Sequence, residues 1–221
     1  MNDLTLLIPV KNEVESLKVF LKDLKPYNYK KLFVIDINDN NDYKNIFKDY
    51  RDCKFLKSTK AGYGSALIEG INYIQTKYFC IINADGSMDP KELQNMILFS
   101  KNFSFVFTSR YLKDGGSDDD TFITYIGNRM FSFLGKLLFK LNISDILYTY
   151  ILGDTKLAKS LNLENYDFRI CVEIPIKIHK KKYSYKDISS YEKSRIGGKK
   201  KVNAFKDGLL ILTEILRLYF K

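Results

Sequence analysis

The sequence contains very little cysteine, and what it has is widely spaced. The three cysteines among 221 residues are Cys53, Cys80 and Cys171, without any Cys-x-x-Cys pair. Disulfide frameworks and structural zinc sites need more cysteines at closer spacing. We therefore expect buried free thiols in a reducing compartment, in a chain long enough to bury a core without cross-links.

Long apolar runs and a leader-like N-terminus are also missing. The chain opens on a strand-like run, Leu4 to Val10, without the basic and apolar regions of a signal peptide, so we expect a cytoplasmic protein. Two amphipathic segments, Asn128 to Ile143 and Ala204 to Phe220, lack the ~20 uninterrupted apolar residues that span a bilayer. Packing onto the sheet is the simpler interpretation, and peripheral contact with the inner face of a membrane is the alternative.

Charge is unevenly distributed. The formal net charge is +10, and the segment from Lys180 to Lys201 holds nine basic residues against only Asp187 and Glu192. Such a segment can bind a phosphorylated substrate, anionic lipid or nucleic acid. A solvated lysine-rich loop without a ligand is the alternative. We expect no nucleic-acid partner, because only this charge would indicate one. The single histidine, His179, is expected to be solvated.

Short apolar runs alternate with helical patterns through the first half of the chain. The predicted strands are Leu4 to Val10, Leu32 to Asp36, Lys54 to Leu56, Tyr78 to Asn83 and Phe103 to Thr108. The predicted helices are Glu13 to Leu24, Tyr43 to Tyr50, Ser65 to Gln75 and Asp89 to about Ser100. This alternation predicts an α/β fold with a mostly parallel sheet and helices on both faces. Ligands bind such sheets beyond the carboxyl ends of the strands.

One of these strand ends carries a candidate metal ligand. The strand ending at Asn83 leads into Asp85, with Ser87 one residue beyond on the same side. Magnesium commonly uses one or two carboxylates and completes its shell with substrate phosphate oxygens. Asp85 is therefore the strongest candidate, and Asp36 lies at a neighbouring strand end. An ordinary Asp-Gly-Ser turn is the alternative.

A glycine-rich stretch, Lys60 to Ala66, opens the next predicted helix. It matches neither Gly-x-x-x-x-Gly-Lys-Ser/Thr nor Gly-x-Gly-x-x-Gly, so the P-loop and dinucleotide interpretations lose their main support. Binding of an anion at the helix N-terminus and a plain strand-to-helix turn are both compatible with the pattern.

Eight motifs, in order from residue 4 to about residue 201, resemble those of family 2 glycosyltransferases of the dolichol-phosphate mannose or glucose synthase type. They are Leu6 to Glu13, Asp36, Lys60 to Ile71, Asn83 to Asp85, Ser109 to Tyr111, Asp145, Glu173 and Arg195 to Lys201. The resemblance implies a GT-A fold, a nucleoside-diphosphate sugar donor, Mg²⁺ or Mn²⁺ as cofactor, and inverting hexosyl transfer. The acceptor that it implies is a lipid phosphate such as a polyprenyl phosphate, or another glycan acceptor.

The resemblance also implies an organisation and a set of site residues. It divides a single domain, 1–221, into a nucleotide-sugar half at 1–112, an acceptor half at 113–201 and a C-terminal amphipathic helix at 202–221. Implied metal ligands are Asp85, Ser87 and Asn83. Implied nucleotide-sugar contacts are Pro9, Val10, Asn12, Glu13, Asp36, Gly64, Asn83, Ala84 and Lys201. Implied catalytic residues are Asp85, Arg110, Asp145 and Arg195.

Transfer requires that charge on the departing diphosphate be stabilised, which a metal ion with Arg110, Arg195 and Lys201 would supply. A phosphate acceptor is already anionic, whereas a hydroxyl acceptor needs a general base. The acidic run 118–120, with Asp119 as the candidate, could provide that base. An N-cap role for at least one of these aspartates is the alternative, because a helix follows.

Three positions depart from the family pattern. Ile37 stands in place of a second aspartate, Asn83 in place of the first carboxylate of Asp-x-Asp, and Thr121 or Phe122 near an expected acceptor-side arginine. A degenerate, non-catalytic domain that binds nucleotide-sugar is therefore the alternative function. A nucleotidyltransferase is disfavoured, because the first strand is not followed by a glycine-rich loop with arginine and lysine.

Overall fold

A seven-stranded sheet forms the centre of the fold. The structure, a computed structural model, describes residues 3–47, 53–197 and 204–221. In spatial order the strands are β3 (Cys53–Lys57), β2 (Lys30–Ile35), β1 (Leu4–Val10), β4 (Tyr78–Ile81), β7 (Ile151–Asp154), β5 (Phe105–Ser109) and β8 (Tyr185–Ser189). Strand β7 runs antiparallel to β4 and β5, and the other pairs are parallel. The predicted α/β class with a mostly parallel sheet is confirmed.

Helices cover both faces of this sheet, and a second small sheet lies beside it. The helices of the described ranges are α1 (Val14–Asp23), α2 (Lys44–Phe47), α3 (Tyr63–Tyr73), α4 (Glu92–Phe99), α5 (Phe122–Phe139), α6 (Thr155–Lys159), α7 (Ile170–Lys180) and α8 (Ala204–Phe220). The small sheet pairs β6 (Gly116–Ser117) with β9 (Tyr191–Glu192). The alternation predicted for the first half is confirmed, with other element ends shifted by a few residues, while the predicted helix end at Tyr50 lies outside the described residues.

The central strands are buried on both faces, which explains why they are almost continuously apolar. Leu6 and Ile8 of β1 belong to the layer that includes Leu17 of α1, whereas Leu7 belongs to the opposite layer with Leu67 of α3. This alternation gives every strand a fixed face toward each helical layer. Because β1, β2, β4 and β5 all run in the same direction, the polar residues that follow them come together at one edge of the sheet.

Helix α5 begins earlier than predicted, at Phe122 rather than Asn128. The Thr121 hydroxyl accepts a hydrogen bond from the Thr124 amide, and the Thr124 hydroxyl accepts one from the Thr121 amide. This reciprocal capping box satisfies two amides at the helix start. The expectation that an aspartate of 118–120 caps the helix is therefore wrong.

Helices α5 and α8 pack against each other and against α7, while an apolar face of each stays exposed. Helix α5 ends at Phe139 rather than Ile143, because Lys140 adopts a left-handed conformation with φ of 59°. Within the described ranges, no helix is long and apolar enough to cross a membrane.

The prediction of free thiols is confirmed, and that of burial is confirmed for two of the three. Cys80 and Cys171 are buried free thiols, and Cys53 is a half-buried one. The division of the chain into donor and acceptor halves stays a prediction.

Candidate active site

Asp85 follows β4 and is held in one orientation. The Ser87 amide and hydroxyl both donate to its Oδ1, at 3.1 and 2.8 Å. Its Oδ2 faces Arg195, whose Nη1 lies 3.7 Å away. Gly86 has φ of 77°, and a Cβ there would lie 2.2 Å from the Ile196 side chain. Glycine is therefore required beside Asp85 both by the backbone conformation and by the close approach of Ile196.

Residues 193–197, which we call the strap, lie across this loop. The Lys193 and Ile196 amides donate to the carbonyl oxygens of Ser87 and Asp85, each at 2.9 Å. The Lys193 ammonium also pairs with Asp89 at 2.9 Å. The strap thus fixes the backbone that carries Asp85.

Arg195 of the strap joins Asp85 to the acidic run 118–120. Its Nε and Nη2 both lie 3.2 Å from Asp119 Oδ2, while Nη1 faces Asp85. One guanidinium therefore lies between two carboxylates from distant parts of the chain. The field of these carboxylates favours positive charge at this point, whether from an arginine or from a metal ion.

Arg110 forms a second, buried ionic centre. Its Nε and Nη2 bind both oxygens of Asp145, at 2.6 and 3.0 Å, and its Nη1 lies 3.0 Å from Glu192 Oε2. Asp120 Oδ1 lies 3.6 Å from the same Nη1. Burial lowers the pKa of a guanidinium, but Asp145 and Glu192 outweigh it, and the pKa of Arg110 is raised. Arg110 therefore anchors the acidic run rather than projecting into open space.

Glu192 connects three parts of the site, although nothing in the sequence pattern predicted it. Its carboxylate accepts hydrogen bonds from Arg110 and from the Ser117 hydroxyl. Its backbone bridges to Met88, beyond Asp85, and its carbonyl accepts from the Asp118 amide. Burial raises the pKa of Glu192, with Arg110 and Ser117 acting against it. The only available signal was that Glu192 is one of two acids in a basic segment.

Asp36 lies directly after β2, and the protein itself satisfies its carboxylate. The Gly62 and Asn38 amides donate to it at 2.9 Å, and the Lys11 ammonium lies 3.2 Å away. Burial raises the pKa of this group, but the three contacts outweigh burial, so the pKa of Asp36 is lowered. Asp36 thereby ties the loop after β1 to the glycine-rich loop before α3.

The loop after β1 is held by an aspartate that the sequence did not predict. Asn12 has φ of 54°, and its amide donates to Asp39 Oδ2 at 2.7 Å. The Tyr43 hydroxyl donates to the same oxygen at 2.6 Å. The carboxylate of Glu13 instead accepts a bond from Ser16 within α1.

The other residues predicted to contact the nucleotide-sugar differ in which of their atoms a ligand could reach. Pro9 and Val10 are the last residues of β1, and Val10 and Ala84 are each only 2% exposed. Val10 and Ala84 could therefore contact a nucleotide mainly through their backbone. Lys201, with residues 198–200, lies outside the described residues.

The glycine-rich loop packs closely on the backbone of residues 165–167. A Cβ on Gly62 or Gly64 would lie 2.2 or 2.1 Å from a carbonyl oxygen of that segment. Glu173 is fully buried and holds the segment opposite the glycines, because its carboxylate accepts bonds from the amides of Glu164 and Asn165. In this structure the glycines accommodate another part of the chain, and Glu173 supports that packing.

Oxygen donors for a metal ion are few. Asn83 Oδ1 accepts a bond from the Tyr63 hydroxyl at 3.1 Å, and the Ser87 hydroxyl is committed to Asp85. In the part of the chain that the structure describes, no group of three His, Cys, Asp or Glu residues could hold a metal ion. A metal here would therefore have Asp85 as its carboxylate ligand, with Asn83 as a neutral oxygen beside it.

His179 is half-buried, so its side chain is only partly solvated. Its Nδ1 lies 3.0 Å from the hydroxyl of Tyr185 in β8. It plays no part in the cluster around Asp85.

Asp187 of β8 is a buried carboxyl with one unpartnered oxygen. The Ser144 amide and hydroxyl donate to its Oδ2 at 2.7 and 2.6 Å, while Oδ1 has no hydrogen-bond partner within the described structure. Burial, opposed by the two bonds from Ser144, raises the pKa of Asp187 to about 6.

We expect Asp187→Asn to remove a pH-dependent loss of stability. A carboxyl whose pKa is raised on folding stabilises the fold while protonated, and this contribution is lost as the pH rises through about 6. Relative to the variant, the wild type should lose about 2–3 kcal/mol of unfolding free energy between about pH 4 and pH 7. Urea denaturation across this range measures the difference, and a constant difference between the two proteins would contradict the assignment.

Comparison with solved structures shows which fold this is. Glucosyl-3-phosphoglycerate synthase from Mycobacterium tuberculosis, in complex with Mn²⁺, UDP and phosphoglyceric acid, aligns with a TM-score of 0.75 at 10% identity, over 99% of this chain and 78% of that one. The same enzyme with Mg²⁺ and UDP aligns with a TM-score of 0.74 at 9% identity, over 98% and 79%. The expected GT-A fold is confirmed.

The family follows from the sequence. The family model for Glycosyl transferase family 2 matches residues 5–161, and the chain belongs to that family. Uncharacterized glycosyltransferases of Mycobacterium tuberculosis and Mycobacterium bovis are each 32% identical to it over 93 residues, which is 42% of this chain. The match spans 41% of the length of those relatives. The dolichol-phosphate synthase subtype is not shown by these comparisons.

Proposed function

We propose that the protein transfers a sugar from a nucleoside-diphosphate donor to an acceptor, with a divalent metal ion held at Asp85. The observation that carries this proposal is the orientation of Asp85. Ser87 fixes one carboxylate oxygen, and the other faces a position between Asp85 and Asp119 that is suited to positive charge. That position lies at the edge of the sheet where such folds bind ligands.

The residues present fit a hard divalent cation that shares its ligands with a substrate. Asp85 and Asn83 would hold it, and phosphate oxygens of the donor would supply further ligands. When bound, the ion would neutralise charge on the departing diphosphate. The complexes of the fold neighbour with UDP and either Mn²⁺ or Mg²⁺ support this choice of donor and metal.

The chain's own residues would stabilise the leaving group and prepare the acceptor. Arg195, beside Asp85, would place a guanidinium against the diphosphate. Asp119 would take the proton of a hydroxyl acceptor, and a phosphate acceptor would need no such base. The Ser117 hydroxyl accepts a bond from the Asp119 amide at 3.1 Å and donates to Glu192 at 2.6 Å, which fixes the base relative to Arg110.

Calorimetric titration of a panel of nucleotide-sugars, with and without Mn²⁺, tests the proposal. We expect one donor to bind only when the metal is present, and Asp85→Asn to lose that binding. Donor binding that is indifferent to Mn²⁺, or absent for every nucleotide-sugar, would contradict it.

We propose further that the acceptor is a lipid phosphate, because α5 and α8 expose an apolar surface. Each helix presents large apolar side chains at spacings of three, four or seven residues, which puts them on one stripe. We call these residues the apolar face: Ile126, Met130, Phe133, Leu137, Phe205, Leu209, Leu216 and Phe220, all at least 40% exposed.

The two helices lie side by side. The rings of Phe139 and Tyr219 are in edge contact with centroids 5.8 Å apart, and Gly208 lies close to Phe131. The helices therefore run in the same direction along each other. Because α5 begins at Phe122, two residues after the acidic run 118–120, the apolar face starts near the proposed acceptor side of the site.

Charge favours anionic lipid as the occupant of the apolar face. Helix α5 carries Arg129 and Lys136 and no acidic residue. In α8, Lys206 and Asp207 carry opposite charges, Glu214 is buried and paired with Arg217, and Lys221 follows. Amphipathic helices with basic flanks bind anionic bilayers, whereas a second copy would bring like charges together.

Sedimentation with phosphatidylglycerol vesicles tests this surface. Burying one Phe or Leu side chain is worth about 1.5–3 kcal/mol, so we expect Phe133→Glu with Leu137→Glu to weaken binding by at least about tenfold. Val19→Glu, at an exposed position of α1, is the matched control and should bind the vesicles as the wild type does. The assignment to lipid would be overturned if the wild type bound no vesicles and instead formed a dimer that Phe133→Glu abolishes.

A further inference from the structure

Tyr63 is the side chain of the glycine-rich loop that reaches the loop of Asp85. Its ring stacks on Phe168 with centroids 5.4 Å apart. Its hydroxyl lies 3.1 Å from Asn83 Oδ1 and 2.6 Å from the Thr149 hydroxyl. Because the glycines on either side of Tyr63 pack against the backbone of residues 165–167, the loop is held where the ring points inward.

The direction of these hydrogen bonds follows from the groups involved. An amide oxygen only accepts, so the Tyr63 hydroxyl donates to Asn83. A phenol has one proton, so Tyr63 in turn accepts the hydrogen bond that Thr149 donates. Thr149 is 5% exposed, which keeps water from competing for this arrangement.

The chemistry of position 83 makes this chain of bonds important. A carboxylate presents oxygen to a cation in either orientation, whereas an amide presents oxygen at one end and NH₂ at the other. A rotated Asn83 would turn donor hydrogens toward the ion. In the structure, the bond from Tyr63 uses one lone pair of Oδ1, holds that oxygen at this end of the amide, and leaves its second lone pair available.

We propose that Tyr63 is a positioning residue that orients Asn83, so that an amide serves where a second metal-binding carboxylate would otherwise be needed. This inference rests on the proposed function, because it concerns the same metal site. Hydrogen-bond partners of metal ligands typically affect metal affinity by about 10–100-fold.

The test measures Mn²⁺ binding directly, by electron paramagnetic resonance of free Mn²⁺ in the presence of UDP. We expect Tyr63→Phe to weaken Mn²⁺ binding by about tenfold or more. In an Asn83→Ala background the same change should have no further effect. In an Asn83→Asp background it should also have little effect, because both carboxylate ends are oxygens.

Tyr73→Phe, an exposed tyrosine of the same helix, is the matched control. Thermal unfolding of each variant establishes that the comparison is between folded proteins. Two results would overturn the inference about Tyr63 and leave the proposed function standing. One is an unaltered Mn²⁺ affinity of Tyr63→Phe, and the other is a loss of Mn²⁺ affinity in the Asn83→Asp background as large as in the wild-type background. No Mn²⁺-dependent UDP binding by the wild type, together with a negative donor panel, would overturn the proposed function with it.

Discussion

Asp85→Ala is expected to abolish metal-dependent donor binding and to lower turnover by about 10³-fold or more, since electrostatic stabilisation of a leaving group is a dominant contribution to such reactions. Within the described residues no cluster of acidic, histidine or cysteine ligands could take over. The oxygens left nearby, on Asn83 and Ser87, are neutral and bind a divalent ion more weakly.

The measurement is turnover of the identified donor across a Mn²⁺ titration. Asp85→Asn keeps the shape of the side chain and should show the same loss, which separates charge from packing. Glu15→Gln removes an exposed acid from α1 and should behave as the wild type. Full metal dependence in Asp85→Ala would show that the ion is held elsewhere.

Arg195→Ala is expected to lower turnover by about 10²–10³-fold while changing donor affinity much less, because its charge acts on negative charge that develops during the reaction. Its guanidinium lies 3.7 Å from Asp85 and 3.2 Å from Asp119. In the absence of donor it competes with a metal ion for Asp85. Mn²⁺ alone should therefore bind the variant at least as tightly as it binds the wild type.

The difference between the large loss of turnover and the small change in donor affinity distinguishes Arg195 from a residue of a solvated basic loop. Steady-state kinetics give kcat and KM, and a separate Mn²⁺ titration without donor gives the metal affinity. Lys181→Ala is the matched control from the same basic segment. Equal, near-wild-type rates for both variants would show that the basic segment is a solvated lysine-rich loop.

The sequence predicted which polar residues follow the strands, because their positions depend on local patterns. Apolar strands followed by polar residues located Asp36 and Asp85 at strand ends, and the rule for parallel sheets placed them at one edge. These inferences need only periodicity within about ten residues. The strand β7 breaks that rule by running antiparallel, and its four residues carry no pattern that shows their direction.

The contacts around Arg110 and Glu192 could not be predicted in the same way, because they join distant segments. Glu192 reaches Arg110 and Ser117 across intervals of 82 and 75 residues, and no local periodicity encodes such pairs. Tyr63 was similarly hidden: its role depends on where residues 165–167 pack. The choice of Thr121 over the neighbouring aspartates as N-cap was decided by the bonds that those aspartates make elsewhere in the site.

The most direct test of the central claim is transfer itself. The donor found in the panel is incubated with Mn²⁺ and vesicles that contain a polyprenyl phosphate, and the lipid fraction is analysed by mass spectrometry. We predict a product with the mass of one hexose added to the lipid phosphate, absent with chelator and absent with Asp85→Asn. Metal-dependent donor binding with neither transfer to any acceptor nor hydrolysis of the donor would contradict the account and leave a nucleotide-sugar-binding domain without catalysis.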